Sequence, residues 1–251
     1  MAGSRQRRDW EDLSALDPHW AILSDSKHRF RGWDTGSFMS SGVEEVALVM
    51  RAGERFSLPR ERRAALDFGC GAGRLTLALA REFDECLGLD VSERMVDVAR
   101  DNATAAGAAN CRFAVHDRND LGALDGGAYD LVLSRLVLQH IPGAAEKERY
   151  VAELTRVLAP GGLLALQLPS HMPAMRRLQP RPRAYRLLRR LGVPRTTLYE
   201  RLHLHPIRMT SLARARVTGA VAAAGGRVLE ARDEPAVGGG TSTDYLATRD
   251  A

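Results

Sequence analysis

The sequence predicts an α/β fold built on a doubly wound, parallel sheet. Three observations carry that reading. Short apolar runs alternate with amphipathic helical stretches from residue 64 to residue 168. The first run ends in a glycine-rich turn, Gly69-Cys70-Gly71-Ala72-Gly73, that opens a helix. Late in the series, Ala159-Pro160-Gly161-Gly162 stops a helix and leads into another apolar run. Strands that alternate with helices at this spacing are joined by crossovers, which make neighbouring strands parallel.

The elements follow in chain order. Residues 1–42 form a helical N-terminal arm that holds Trp10, Trp20, Phe30, Trp33 and Phe38. Asp17-Pro18 reads as a helix start, an acceptor side chain followed by a residue with φ already fixed. Gly32 and Gly36 are expected to interrupt the arm. Its aromatics either pack on the main domain or, over residues 20–42, cap a ligand. The core, residues 43–168, begins with a helix over Val43–Met50 and a boundary at Leu58-Pro59. Its strands are Ala64–Phe68, Glu85–Leu89, Cys111–Val115, Tyr129–Ser134 and Leu163–Leu168. The helices between them are Gly73–Glu82, Ser92–Ala106, where Ser92 is a good N-cap, and Glu146–Leu158. Residues 169–208 break the rhythm with a basic helical insertion, rich in Pro and Arg and amphipathic around Ala184–Leu191. Residues 209–251 supply a helix over Thr210–Ala224 and a closing hairpin, Arg227–Ala231 with Thr243–Thr248, for seven strands in all.

Composition narrows the classes. At 251 residues, with 45% hydrophobic and 27% charged side chains, the chain is long enough for a full core. It has no apolar run near the ~20 residues that a membrane span needs. The charged stretch Met1–Asp12 lacks the apolar centre of a secretory signal. The three cysteines, Cys70, Cys86 and Cys111, have neither disulfide nor CxxC spacing. A reduced, cytoplasmic setting is therefore expected. The net charge of +5 is unevenly spread. Ten arginines against Glu200 give residues 176–208 a charge of +9, so the rest of the chain carries −4.

The glycine turn carries the chemistry. In a doubly wound sheet, ligands bind at the carboxyl ends of the strands, where strand order reverses. A dinucleotide fingerprint counted from Gly69 would need its third glycine at position 74, which is Arg74. The pattern is instead Asp67-x-Gly69-x-Gly71-x-Gly73. This loop resembles motif I of the class I S-adenosylmethionine-dependent methyltransferases. The second strand ends Leu87-Gly88-Leu89-Asp90-Val91-Ser92, with an acid at its tip. Tyr129–Ser134, running into Arg135-Leu136-Val137-Leu138-Gln139-His140-Ile141-Pro142, resembles the family's motif IV. Leu154–Gly162 resembles its turn into strand five. The arm and Gln139-His140-Ile141 are similar to those of small bacterial, natural-product-type methyltransferases.

The resemblance implies a Rossmann-like core that binds S-adenosylmethionine and releases S-adenosylhomocysteine. It implies that Asp67, Gly69, Cys70, Gly71 and Gly73 wrap the amino-acid end of the cofactor. Asp90, a two-oxygen acceptor, would take both ribose hydroxyls. Val91 and Met95 would lie beside it. Asp117 would accept from the adenine amino group, with His116 and Arg118 near the ring. Ser134 would sit near the sulfonium.

Methyl transfer needs positioning more than a fixed catalytic group. His140 is the first base candidate, because it follows the strand tip nearest the methyl. Its alternative role is that of a turn histidine held by backbone. His205 and Tyr199 are candidates from the substrate side. No metal site is expected, since His203, His205 and His171 lack matching carboxylates. Gly-x-Ser-x-Gly is absent as well. The expected activity is methyl transfer to O, N or C of a small-molecule or carrier-tethered acceptor in bacterial secondary metabolism. One rival is a nucleic-acid methyltransferase that sets the insertion on phosphates. Against it stand the missing Asn/Asp-Pro-Pro-Tyr/Phe motif and the scarcity of aromatics in the insertion. The other rival is a non-catalytic cofactor-binding module. The insertion's arginines either meet an anionic partner or snorkel over a packed face of Leu187, Leu188 and Leu191 and pair with acids of the fold.

Overall fold

The structure, a computed structural model, describes residues 2–23, 32–118, 120–173, 178–236 and 239–250, with the side chains from residue 7 onward. Two arm helices, α1 (Ala2–Leu16) and α2 (Pro18–Ile22), precede a long helix α3 (Thr35–Glu54). Then come β1 (Ala64–Phe68), α4 (Arg74–Leu79), β2 (Glu85–Asp90), α5 (Glu93–Ala105), β3 (Cys111–Val115) and β4 (Tyr129–Ser134). A 3-10 turn (Leu138–His140), α6 (Ala144–Val157) and β5 (Leu158–His171) follow. The insertion contributes α7 (Pro180–Arg190) and a π-type turn (Thr197–Arg201). The chain closes with α8 (Arg214–Ala223), β6 (Gly226–Pro235) and β7 (Thr241–Arg249).

The sheet has the seven strands expected, in the order β3-β2-β1-β4-β5-β7-β6. Five strands are parallel, while β7 runs antiparallel to β5 and β6 antiparallel to β7. Strand order reverses between β1 and β4, which puts the ligand-binding crevice at the tips of those strands. Side chains alternate across a strand, so both faces of β4 find a core. Val132 packs with Leu66, Leu164, Val151 of α6 and Val217 of α8. Leu131 and Leu133 pack with Ala65, Val46 of α3 and Leu75 of α4 on the other face.

Several boundaries differ from those expected. Gly36 does not interrupt a helix. Asp34 caps α3, its carboxylate accepting from Gly36 N at 2.9 Å and Ser37 N at 2.9 Å, so Gly36 lies in the first turn. β5 starts at Leu158 and absorbs the Pro-Gly-Gly turn as a bulge, with partners jumping from Tyr129↔Leu158 to Leu131↔Leu163. Gly161 takes a φ of 74° there, which suits glycine. α8 starts at Arg214 because residues before it are held extended: Thr210 N donates to Gln139 O at 2.7 Å and Leu212 N to Pro169 O at 2.9 Å.

The arm joins the insertion. Leu13, Trp20, Ala21 and Tyr199 share one buried cluster with Met95 of α5. Asp12 pairs with Arg195 across the same contact. The leucine face of the insertion helix is not packed as the snorkelling reading required. α7 buries Pro182 and Tyr185, and Leu187 and Leu191 point outward. Among the described residues, no helix is long and apolar enough to cross a membrane.

Candidate functional site

A cavity opens at the tips of β1, β2 and β4, at the reversal of strand order. The glycine turn forms its floor. Gly69, Gly71 and Gly73 all have positive φ, 84°, 52° and 83°. Gly69 N donates to Leu89 O at 2.7 Å, which ties the turn to β2. A Cβ on Gly69 would lie 2.2 Å from Val137, and one on Gly71 would lie 2.5 Å from Ile22 of the arm. The turn is therefore pressed between the β4 tip and the arm, with glycine required at both contacts.

Asp90 lies at the cavity wall beside this turn. Its Oδ2 accepts from Gly71 N at 2.9 Å and its Oδ1 from Ser92 N at 2.9 Å. A carboxylate has about four acceptor positions, so roughly two remain for a ligand. Burial raises the Asp90 carboxyl above its ordinary range, against the pull of the backbone donors. Val91 and Met95 line the same wall, and Ser92 Oγ caps α5 by accepting from Met95 N at 3.2 Å.

His116, Asp117 and Arg118 also reach the cavity. Burial lowers the His116 pKa, so its ring is neutral, and Nε2 has no partner among the described residues. Such an atom at a cavity wall suits a polar ligand edge. Asp117 is largely exposed and lies 3.7 Å from the Arg7 guanidinium of α1.

Other expected contacts lie elsewhere. Asp67 is buried behind the turn, accepting from Thr76 Oγ1 at 2.7 Å, and burial pushes its pKa up to about 7. It supports the turn from below and does not reach the cavity wall. Cys70 packs into a closed cluster with Val96, Ala99 and Phe113. Gly73 acts as the left-handed cap of α4. Ser134 is buried at the end of β4 and outside the wall. The residues after it, Arg135, Leu136 and Val137, line the cavity instead. Leu136 has a φ of 61°, so the backbone turns there and the strand's side-chain alternation no longer applies.

His140 lines the same cavity as Asp90 and is the one catalytic candidate that does so. Its Nδ1 is 2.8 Å from Arg208 O, and a carbonyl only accepts, so Nδ1 carries the proton. Nε2 is then an acceptor, with the Gln139 side-chain nitrogen 3.2 Å away. Burial lowers the His140 pKa to about 4, the backbone carbonyl opposing only in part. The ring meets Trp10 of α1 edge-on at 5.1 Å.

Tyr199 and His205 do not reach this chamber. The Tyr199 hydroxyl donates to Asp17 Oδ2 at 3.0 Å, and the His205 ring meets Trp20 at 5.8 Å. Both secure the arm against the insertion. Sequence reasoning missed Trp10, Ile22, Arg135 and Tyr150 as wall residues. Arg135 stands in the stretch likened to motif IV and Ile22 in the arm segment expected to cap a ligand, whereas Trp10 and Tyr150 reach the cavity only through the tertiary fold. No arginine of α7 lines the cavity.

Comparison with known proteins gives a consistent result. Residues 66–166 match the family model described as "Methyltransferase domain". The chain is 30% identical over 185 residues to ajmaline N-methyltransferase of Rauvolfia serpentina, covering 69% of this chain and 62% of that protein. It is 38% identical over 108 residues to trans-aconitate 2-methyltransferase of Deinococcus radiodurans, covering 42% and 38%. The chain thus spans less than two thirds of the length of these curated relatives. Magnesium protoporphyrin IX methyltransferase from Synechocystis, crystallised with bound SAH, has a TM-score of 0.64 at 21% identity, covering 98% of this chain and 99% of that one. The glycine turn, the acid at the tip of β2 and the seven-stranded sheet belong together: this chain carries a class I S-adenosylmethionine-dependent methyltransferase domain.

Proposed function

We propose that the chain binds S-adenosylmethionine across Gly69, Gly71 and Asp90 and methylates a small molecule seated beside the contacting rings of Trp10 and His140. The observation that carries this reading is one cavity lined by a backbone turn, an acid and a neutral histidine. Asp90 has acceptor capacity left for ribose hydroxyls. His116 and Asp117 stand where the adenine would lie. The relatives named for ajmaline and trans-aconitate support a small-molecule acceptor. Trp10 and Ile141 favour an acceptor with an apolar body. Transfer to oxygen or nitrogen fits the His140 geometry better than transfer to carbon. A carrier-tethered acceptor and a place in bacterial secondary metabolism belong to the same proposal, with the acceptor assay below as their test.

When bound, the cofactor supplies a methyl on a sulfonium, with a neutral thioether as leaving group. The chain's own residues do the rest. Trp10 and Ile22, from the arm, cover the cavity and keep water from the reacting atoms. His140, fixed by Arg208 O, lines the chamber, and its Nε2 can accept a proton once the Gln139 amide nitrogen, 3.2 Å away, turns aside. A basicity near 4 is low for deprotonating an alcohol in advance. It is sufficient once the attacking oxygen begins to gain a methyl, because its proton becomes strongly acidic.

Two outcomes follow. Labelled S-adenosylmethionine, incubated with panels of hydroxyl, amine and carboxyl acceptors, free and carrier-bound, is expected to give S-adenosylhomocysteine only with a matching acceptor. If the cofactor binds and no acceptor of any class turns over, the non-catalytic reading prevails. The pH profile is the second check. A histidine with its pKa lowered to about 4 stays neutral at neutral pH and becomes protonated only as pH falls toward that value. The rate should therefore show no inflection due to His140 between about pH 6 and 8. An inflection near the ordinary histidine value that His140→Gln abolishes would show that the ring is solvated in the working enzyme, whereas a rate and pH profile unchanged in His140→Gln would show the base assignment misplaced.

A further inference from the structure

The helix α7 (Pro180–Arg190) is turned with its apolar ridge to solvent. Pro182 and Tyr185 are buried against the protein. Leu187 is 59% exposed and Leu191, at the helix end, 71%. Successive helical residues are ~100° apart, so these two leucines lie within about 40° of each other on the outer pole. Arg183 and Arg190, both exposed, flank that pole on one side and Arg181 on the other. Leu178, 54% exposed, precedes the helix. Arg181, Arg183, Arg189 and Arg190 have no acid within ion-pair distance among the described residues. The insertion's ion pair there is Arg195 with Asp12, beyond the helix. The arginines do not snorkel over a packed leucine face, and Arg183, Arg189 and Arg190 share a groove with Asp9 and Asp12 of α1.

We propose that α7 is a peripheral docking element for an anionic lipid surface. An exposed apolar ridge flanked by cations matches the order of a bilayer edge, with acyl chains beneath and negative headgroups beside them. Long arginine side chains reach headgroups while the leucines enter the acyl boundary. The ridge is convex and only 11 residues long. A helix of that length is ~16 Å long, and its outer face is small against the ~800 Å² per partner of a standard protein interface. A lipid plane needs no matching cleft. Docking brings the arm side of the cavity near the lipid, because Arg8 and Asp12 of α1 share a surface groove with Arg183 and Arg190, and Trp10 of the same helix walls the cavity. The docking inference does not depend on the methyl-transfer reading. It concerns a surface helix and not a span.

The test uses the full chain and vesicles of two compositions, pure phosphatidylcholine and phosphatidylcholine with about one third phosphatidylglycerol. Sedimentation is expected to give at least a roughly tenfold higher partition coefficient with the anionic vesicles, weakened by salt. Arg183→Gln with Arg190→Gln should lower it by about twenty-five-fold, near fivefold for each charge. Leu187→Ser with Leu191→Ser should lower it by more than about tenfold. Both double variants change exposed positions, so their thermal midpoints should match the parent, which separates lost docking from lost folding. Equal partition into both vesicles, or binding that the leucine variants retain, overturns the proposal. So does a protein that stays in the supernatant with anionic vesicles yet binds polyglutamate through the same arginines, which would mark the face as a site for an acidic protein.

Discussion

Replacing Asp90 with alanine should weaken binding of S-adenosylhomocysteine by roughly ten- to a hundredfold. The carboxylate has two tasks. Toward the ligand it offers charged acceptor positions, whose loss costs on the order of 1.5–3 kcal/mol. Toward the protein it accepts from Gly71 N and Ser92 N, at 2.9 Å each, and so positions both the glycine turn and the start of α5. Asp90→Asn separates the tasks. The amide keeps one oxygen for a backbone donor but offers its NH2 where a hydroxyl proton must be accepted. An intermediate loss, about tenfold, is expected. Acidification should act like a partial substitution. Burial raises this carboxyl above the ordinary 3.8, so the ionised form is lost, and affinity with it, at a higher pH than for an exposed aspartate. Calorimetry would decide. An unchanged dissociation constant in the alanine variant would remove Asp90 from the ribose site.

How far the sequence carries the argument depends on the range of each determinant. β1, β3 and β4 match their expected limits residue for residue. Each is an apolar run between a polar turn and a glycine or helix cap, so its boundaries are set locally. Gly69, Gly71 and Asp90 could be read as a unit because one turn and one strand tip bring them together. Ser134 could not be placed correctly, because the chain departs from strand geometry at Leu136 just beyond it. Tyr199 and His205 looked like chemistry since their partners, Asp17 and Trp20, lie far away in the chain. Trp10 is the converse case. It reaches the cavity because Leu13 and Trp20 fasten the arm over α5, and nothing next to Trp10 in sequence says so. The leucines of α7 follow a helical spacing that fits a buried face or an exposed ridge equally well. Pro182 and Tyr185 decide which.

The largest loss of stability should come from Glu45→Ala, at a position that no motif marks. Glu45 of α3 joins two arginines from opposite sides of the crevice. Its Oε2 is 2.6 Å from Arg74, the first residue of α4, and its Oε1 is 2.8 Å from Arg135, beyond β4. Arg135 also pairs with Asp244 of β7 at 2.9 Å. Arg74 is 3% exposed and keeps Ser41 Oγ at 3.2 Å, the Phe38 ring centroid 5.9 Å away and the field of the buried Asp67 carboxyl, none of which is an ion pair in contact. Removing one member of a buried pair strands the other, at a cost of about 3–5 kcal/mol. For a chain of this size that corresponds to a fall in Tm of roughly 6–20 °C. Replacing Glu45 and Arg74 together by methionine should recover most of the loss, since no charge is then left unpaired. Burial alone would raise the Glu45 carboxyl, but Arg74 and Arg135 hold it below the ordinary 4.5. With the folded pKa below the unfolded one, Glu45 contributes stability above the unfolded value and loses it as pH falls through the folded value. The alanine variant should therefore denature with a shallower dependence on acid than the parent. Cofactor affinity should fall with stability, because Arg135 is part of the cavity wall and Arg74 follows the glycine turn directly. A thermal midpoint within about 2 °C of the parent would mean that water already solvates this network and that α3 is held by its apolar face alone.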